Sequence, residues 1–101
     1  MPYPLYTVFL DAVLEFMRTI PPDDQSKIVG SARALARGEF ENVYVKQIQG
    51  NIKELRVRKY RLLFFIHQEK LYFAAIFIKT TQKTPLSQIR IAQKFYTLIT
   101  K

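Results

Sequence analysis

Cysteine and tryptophan are absent from this chain, histidine occurs once and glycine three times. Without cysteine there is no disulfide, no thiol nucleophile and no thiolate zinc site, a composition that fits a reducing compartment. A catalytic triad would have to use His67, which falls at a strand end beside a turn and reads as an ordinary half-exposed side chain. One histidine rules out a histidine cluster on a metal, and the acidic residues are spread too thinly to replace it. Three glycines cannot build a phosphate-binding glycine loop. The apolar runs are far too short to span a bilayer, and no charged segment leads into an apolar stretch with a cleavage site. The expectation is a cytoplasmic protein that uses no metal and no small-molecule cofactor.

Acidic charge is missing from one half of the chain in particular. Residues 1–50 carry five cations against six anions, while residues 51–101 carry eleven cations against only Glu54 and Glu69. A net charge of −1 on one half and +9 on the other implies a polyanionic partner, nucleic acid or an acidic protein segment. The alternative is a basic, solvated surface. Hydrophobic residues make up 49% of the chain and aromatic ones 14%, enough for the core of a single domain over residues 1–101.

Apolar residues from Leu5 to Ile20 recur at steps of three and four, which predicts a helix over about Thr7–Ile20. The β-branched and aromatic cluster Leu5–Phe9 could instead start as a short strand. Pro21-Pro22 ends this segment, and Asp23 or Asp24 is placed to cap a second helix that stops at Gly38. The period then changes. Val43–Ile48, 52–59, 60–67 and 71–79 read as strands joined by short loops, hence as an antiparallel meander. Leu55 and Val57 share one face of the second strand, and Glu54, Arg56 and Arg58 share the other. Leu62–Ile66 is apolar on both parities and needs cover on both faces. Thr84 and Pro85 are placed to start a last helix with Leu86, Ile89, Ala92, Tyr96 and Ile99 on its inner stripe. The expected class is α+β: an N-terminal helical hairpin on an antiparallel sheet of about four strands, with a C-terminal helix.

The stretch Ile52–Pro85 interleaves apolar scaffold with cations. Arg58 and Arg61 should be neighbours across the 52–59/60–67 turn, and Lys79 and Lys83 lie where the last strand leaves the sheet. Such cations can hold a phosphodiester and stabilise charge that builds up on it. In RNA the 2′-hydroxyl is a built-in nucleophile, so the protein need only position and neutralise. The same charges could instead protect a sheet edge from aggregation. An RNA-recognition fold would need a glycine within Lys59–Phe65, where there is none.

Glu54-Leu55-Arg56-Val57-Arg58, Tyr60-Arg61-Leu62 and Phe77-Ile78-Lys79-Thr80-Thr81-Gln82-Lys83-Thr84-Pro85, in this order, resemble the RelE/ParE toxin superfamily. The likeness is greatest to its HigB-like, phage-derived branch. Thr80 stands where a second lysine is more usual. The resemblance implies a RelE-like fold and the toxin of a type II toxin–antitoxin pair. It further implies an endoribonuclease that cuts mRNA on the ribosome, with a helix-turn-helix antitoxin as partner. Arg56, Arg61 and Lys83 match the basic positions around the scissile phosphate. Arg58, Lys79, Lys59 and Lys53 would hold the RNA, and Tyr96 is the aromatic hydroxyl placed to serve as acid–base group. Glu54 falls where ribonuclease relatives carry a lysine. A gyrase-inhibiting toxin and a non-enzymatic nucleic-acid-binding module are the alternatives.

Overall fold

The computed structural model describes residues 3–80 and 82–101. Its elements are β1 (Tyr6–Phe9), α1 (Asp11–Arg18), α2 (Pro22–Arg37), β2 (Tyr44–Gln49), β3 (Ile52–Val57), β4 (Tyr60–His67), β5 (Lys70–Ile78) and α3 (Leu86–Ile99). The sheet has five strands in the order β1-β5-β4-β3-β2, with β1 parallel to β5 and every other pair antiparallel. The expected four-stranded antiparallel sheet is therefore corrected to a five-stranded mixed one.

The extra strand comes from the segment that suited both helix and strand. Tyr6–Phe9 lies along Lys70–Phe73, with Phe9 stacked on Phe73 at 5.0 Å. The Tyr6 amide donates to Glu69 O, and the Leu5 amide to Ala36 O at the end of α2. The first half of β5 thereby gains a ladder partner on its outer side, and the helix begins only at Asp11. Local periodicity could not decide this, because Leu5 and Phe9 fit either pattern.

The β4–β5 turn runs against local preference, since neither of its residues is glycine or asparagine. Gln68 and Glu69 both have positive φ (48° and 67°), the geometry that matches the twist of a tight hairpin between β4 and β5. Gly38 ends α2 at φ 77°, where an added Cβ would come within 3.1 Å of the Tyr3 ring.

Helices cover both faces of the sheet. On one face α1 and α2 bury Val13, Met17, Ile28, Ala32 and Leu35 against Leu55, Leu62, Phe64, Leu71 and Phe73. On the other, α3 packs Ile89, Ala92, Phe95 and Ile99 against Ile52, Leu63, Phe65, Ala74, Ala75 and Phe77. This explains the double parity of β4: Leu62 and Phe64 serve one core, Leu63 and Phe65 the other. In β5 a bulge between the Phe64↔Phe73 and Leu63↔Ala75 pairs puts both Ala74 and Ala75 on the α3 side. Two small residues there let the fully buried Ala92 of α3 approach the sheet. Among the described residues no helix is long and apolar enough to cross a membrane.

Candidate functional site

The site lies on the α3 face, at the end of the sheet that α3 leaves open. The register aligns Tyr44, Arg56, Arg61 and Phe77 in one row across β2, β3, β4 and β5. The next row holds Lys46, Glu54, Leu63 and Ala75. Directly paired residues share a sheet face, so Tyr44, Lys46, Glu54, Arg56 and Arg61 all point to the same side. The chain leaving β5 then folds over this end. A shallow depression results, lined by Glu54, Arg56, Arg61, Phe77, Lys79, Thr80, Gln82, Lys83, Thr84 and Pro85.

Glu54 fixes the arrangement from beneath. It is the one buried charged residue among those described, 3% exposed. Its Oε1 accepts from Arg56 Nε at 3.2 Å and its Oε2 accepts from Thr84 Oγ1 at 2.6 Å. Thr84 belongs to the chain leaving β5, and β3 lies two strands away, roughly 10 Å at ordinary strand spacing. This single carboxylate thus ties Thr84 across the sheet end. The Thr84 hydroxyl is spent on that tie and does not cap α3, whose N-cap is Pro85 without a side-chain bond.

The two arginines are held by different atoms. Arg56 is anchored through Nε, which leaves both terminal amino groups without a protein partner among the described residues. Arg61 is anchored through Nη1, which donates to the backbone carbonyls of Arg58 and Tyr60, each at 2.8 Å, leaving Nε and Nη2. A guanidinium offers five donors in a rigid plane, so each arginine is aimed yet retains at least three N–H groups for a ligand. The Lys79 amide donates to Lys59 O at 2.8 Å, which fixes where Lys79 enters the depression.

Arg56, Arg61, Lys79 and Lys83 are therefore brought together; Arg58, Lys53, Lys59 and Tyr96 are not. Arg58 occupies the β3–β4 turn with φ 54° and faces α2, where its Nη1 donates to Asp23 Oδ2 at 2.8 Å and Asp24 Oδ1 at 2.7 Å. Tyr60 completes this clamp by donating to Asp24 Oδ2 at 2.6 Å. The hydrogen bond from Tyr60, then that from Arg58, holds the Asp24 carboxyl below its usual range. Asp24 in turn raises Tyr60 by the same hydrogen bond. Asp23 raises Arg58 first, and Asp24 second. Asp23 and Asp24 thus serve the hairpin as well as the first turn of α2. Arg58 and Arg61 are neighbours through the Arg58 carbonyl and not through paired guanidinium groups.

Lys53 alternates with Glu54 and so lies on the opposite face, lining a separate recess with Gln47, Asn51 and Phe64. The Lys59 ammonium sits 5.6 Å from the Tyr60 ring centroid. Tyr96 packs edge-on against Phe65 at 5.2 Å and its hydroxyl accepts from Asn51. Asn51 precedes Arg56 by five residues along β3, roughly 16 Å in a strand, so Tyr96 stands at the far end from the cations. A depression of about 830 Å³ between α2 and residues 38–43 holds Lys27, Glu39 and Glu41 and none of the expected site residues.

Sequence reasoning missed Thr84 as a tie, and Tyr44 and Lys46 as members of the same face. The last two could have been placed by alternation along β2 only with its register against β3 in hand.

This architecture is shared with a solved toxin structure. The fold matches a chain of the RelB–RelE antitoxin–toxin complex from Methanococcus jannaschii with a TM-score of 0.60 at 15% identity, over 70% of this chain and 88% of that one. The fold is RelE-like. The model of the family described as phage derived protein Gp49-like matches residues 15–97, and the chain belongs to that family. The RelE-like resemblance carried by Glu54–Arg58, Tyr60–Leu62 and Phe77–Pro85 is thereby sustained. No curated protein matches the sequence.

Proposed function

We propose that the protein is the toxin of a type II toxin–antitoxin pair, of the HigB-like branch, and cleaves mRNA on the ribosome in the cytoplasm. The observation that carries this reading is the convergence of Arg56, Arg61, Lys79 and Lys83 on one depression, with both guanidinium groups pre-oriented. A phosphodiester seated there meets planar donors from Arg56 and Arg61, and Lys79 and Lys83 add point charges along the backbone. The 2′-hydroxyl attacks the adjacent phosphorus and the 5′-oxygen leaves. The proton lost by the first is made good on the second through water. Arg56 and Arg61 stabilise the extra negative charge on the phosphorane, and they do so without reorganising because Glu54 and the turn carbonyls already hold them.

Arg58 takes a scaffold role here, as the pin that ties the β3–β4 hairpin to α2. Glu54, where relatives have a lysine, acts as the counter-charge that aims Arg56. The partner in this reading is a helix-turn-helix antitoxin encoded next door, whose acidic segment covers the cationic depression. Their complex should weaken as salt rises.

Primer extension on transcripts after induction tests the proposal. Cuts inside translated codons, lost in Arg56→Ala and Arg61→Ala, are the expected result. Intact mRNA with arrested gyrase overturns it, as does the absence of any growth arrest.

A further inference from the structure

We infer that Tyr44 is a stacking platform for the nucleobase next to the phosphate held by Arg56 and Arg61. This inference rests on the reading of the cationic depression as a phosphodiester site, and it names a contact that reading does not use.

Tyr44 is 70% exposed, on the free outer strand β2. No hydrogen bond or ring contact holds its side chain in the described structure. Tyr6, on the opposite edge strand, is as exposed, so it is position and not exposure that sets Tyr44 apart. Tyr44 alone of the two lies beside the cations. Tyr44 pairs directly with Arg56, which pairs directly with Arg61, so the ring stands on the same sheet face one strand beyond the guanidinium groups. Arg56 is common to the depression it shares with Tyr44, Val45 and Lys46 and to the cationic depression described above. The two recesses meet at Arg56 and together make a track across the sheet end.

Along that track, cations come first and an unpartnered ring follows at roughly 5 Å, one strand spacing. Single-stranded nucleic acid has this repeat: a phosphate, then a planar base offset to the side. Stacking between an aromatic side chain and a base is tolerant of sequence, because every base has a π-face. Lys46, next on the same face, extends the positive charge beyond the ring. The ligand class is single-stranded RNA, with a preference for purines from their stronger stacking.

The test uses fluorescence anisotropy with a labelled 2′-O-methyl oligoadenylate, which cannot be cleaved, and an abasic oligomer of equal length. Tyr44→Ala is expected to weaken oligoadenylate binding about five- to 150-fold and to leave abasic binding unchanged. The chain contains no tryptophan, so Tyr44→Trp supplies a single reporter. Its emission should be quenched by oligoadenylate and not by the abasic oligomer. Equal effects of Tyr44→Ala on both oligomers, no effect on either, or unquenched tryptophan each overturn the inference while the phosphate site stands. Wild-type protein that binds neither oligomer overturns the phosphate site and this inference together. Loss of binding to an acidic protein partner with RNA affinity intact overturns it in favour of a protein-docking role.

Discussion

Replacing Glu54 separates its two tasks, and each has a size. In Glu54→Ala the Thr84 hydroxyl loses a buried, charge-assisted hydrogen bond and Arg56 loses its ion pair. The first is worth about 1.5–3 kcal/mol. The second, with the Arg56 side chain 37% exposed, is worth under about 1 kcal/mol. The expected loss is about 2–4 kcal/mol. With an unfolding entropy near 2.1 cal/mol/K per residue over 101 residues, that lowers Tm by roughly 10–20 °C. Glu54→Gln preserves an acceptor for Thr84 and should cost much less. On the proposed reading it also removes a negative charge near the phosphate; for a separation of roughly 6 Å and an effective dielectric between 40 and 80 this is about 0.7–1.4 kcal/mol. RNA affinity should therefore rise about three- to tenfold. Differential scanning calorimetry and oligonucleotide titration at fixed ionic strength measure the two effects. A Glu54→Ala protein melting within about 3 °C of wild type would refute the tie to Thr84. Weaker RNA binding in Glu54→Gln would refute the counter-charge.

The Asp23–Asp24–Arg58–Tyr60 clamp has an acid signature. Asp24 is held below its usual pKa by Tyr60 and then Arg58, so its stabilising contribution is complete above the unfolded carboxyl value of about 3.9 and is lost as pH falls through the lower folded value. The Tm gap between wild type and Asp24→Asn should be widest near neutrality and close towards strong acid; a gap that widens on acidification contradicts the clamp. At Arg58, φ 54° favours glycine, so thermal melts should find Arg58→Ala less stable than Arg58→Gly, although both lose the same ion pairs. At the α3 interface, Ala92→Leu should overpack against Ala74 and Ala75 and cost about 1–3 kcal/mol, with urea unfolding as the measure; an unchanged midpoint would mean the interface is loose.

What could be foreseen in the chain depended on how local the cause was. Charge segregation is a property of composition, so the basic second half could be read directly. Alternation in 52–59 placed Glu54 and Arg56 on one face because the side-chain period of a strand is fixed at two. The apolar double parity of Leu62–Ile66 called for cover on both sheet faces, and α1, α2 and α3 supply it. The motif blocks pointed to a RelE-like protein, and the family match and shared fold agree.

Tertiary structure decided everything that turned on which strands meet. Tyr6–Phe9 had two admissible local states, and only the open side of β5 selected the strand. Arg58 looked equivalent to Arg56 by alternation, but it falls in a turn with positive φ, which swings it to Asp23 and Asp24 on α2. Tyr96 carried a suitable hydroxyl, yet the direction of α3 puts it beside Asn51 at the opposite end of β3. Thr84 and Glu54 are thirty residues apart and share a bond that no periodicity encodes. The sequence supplied the candidate cations, including Arg58, Lys53 and Lys59, which do not line the shared depression. Register and the path of the chain after β5 decided that Arg56, Arg61, Lys79 and Lys83 line one depression, with Tyr44 paired beside Arg56, because side chains distant in sequence share a surface only through strand pairing.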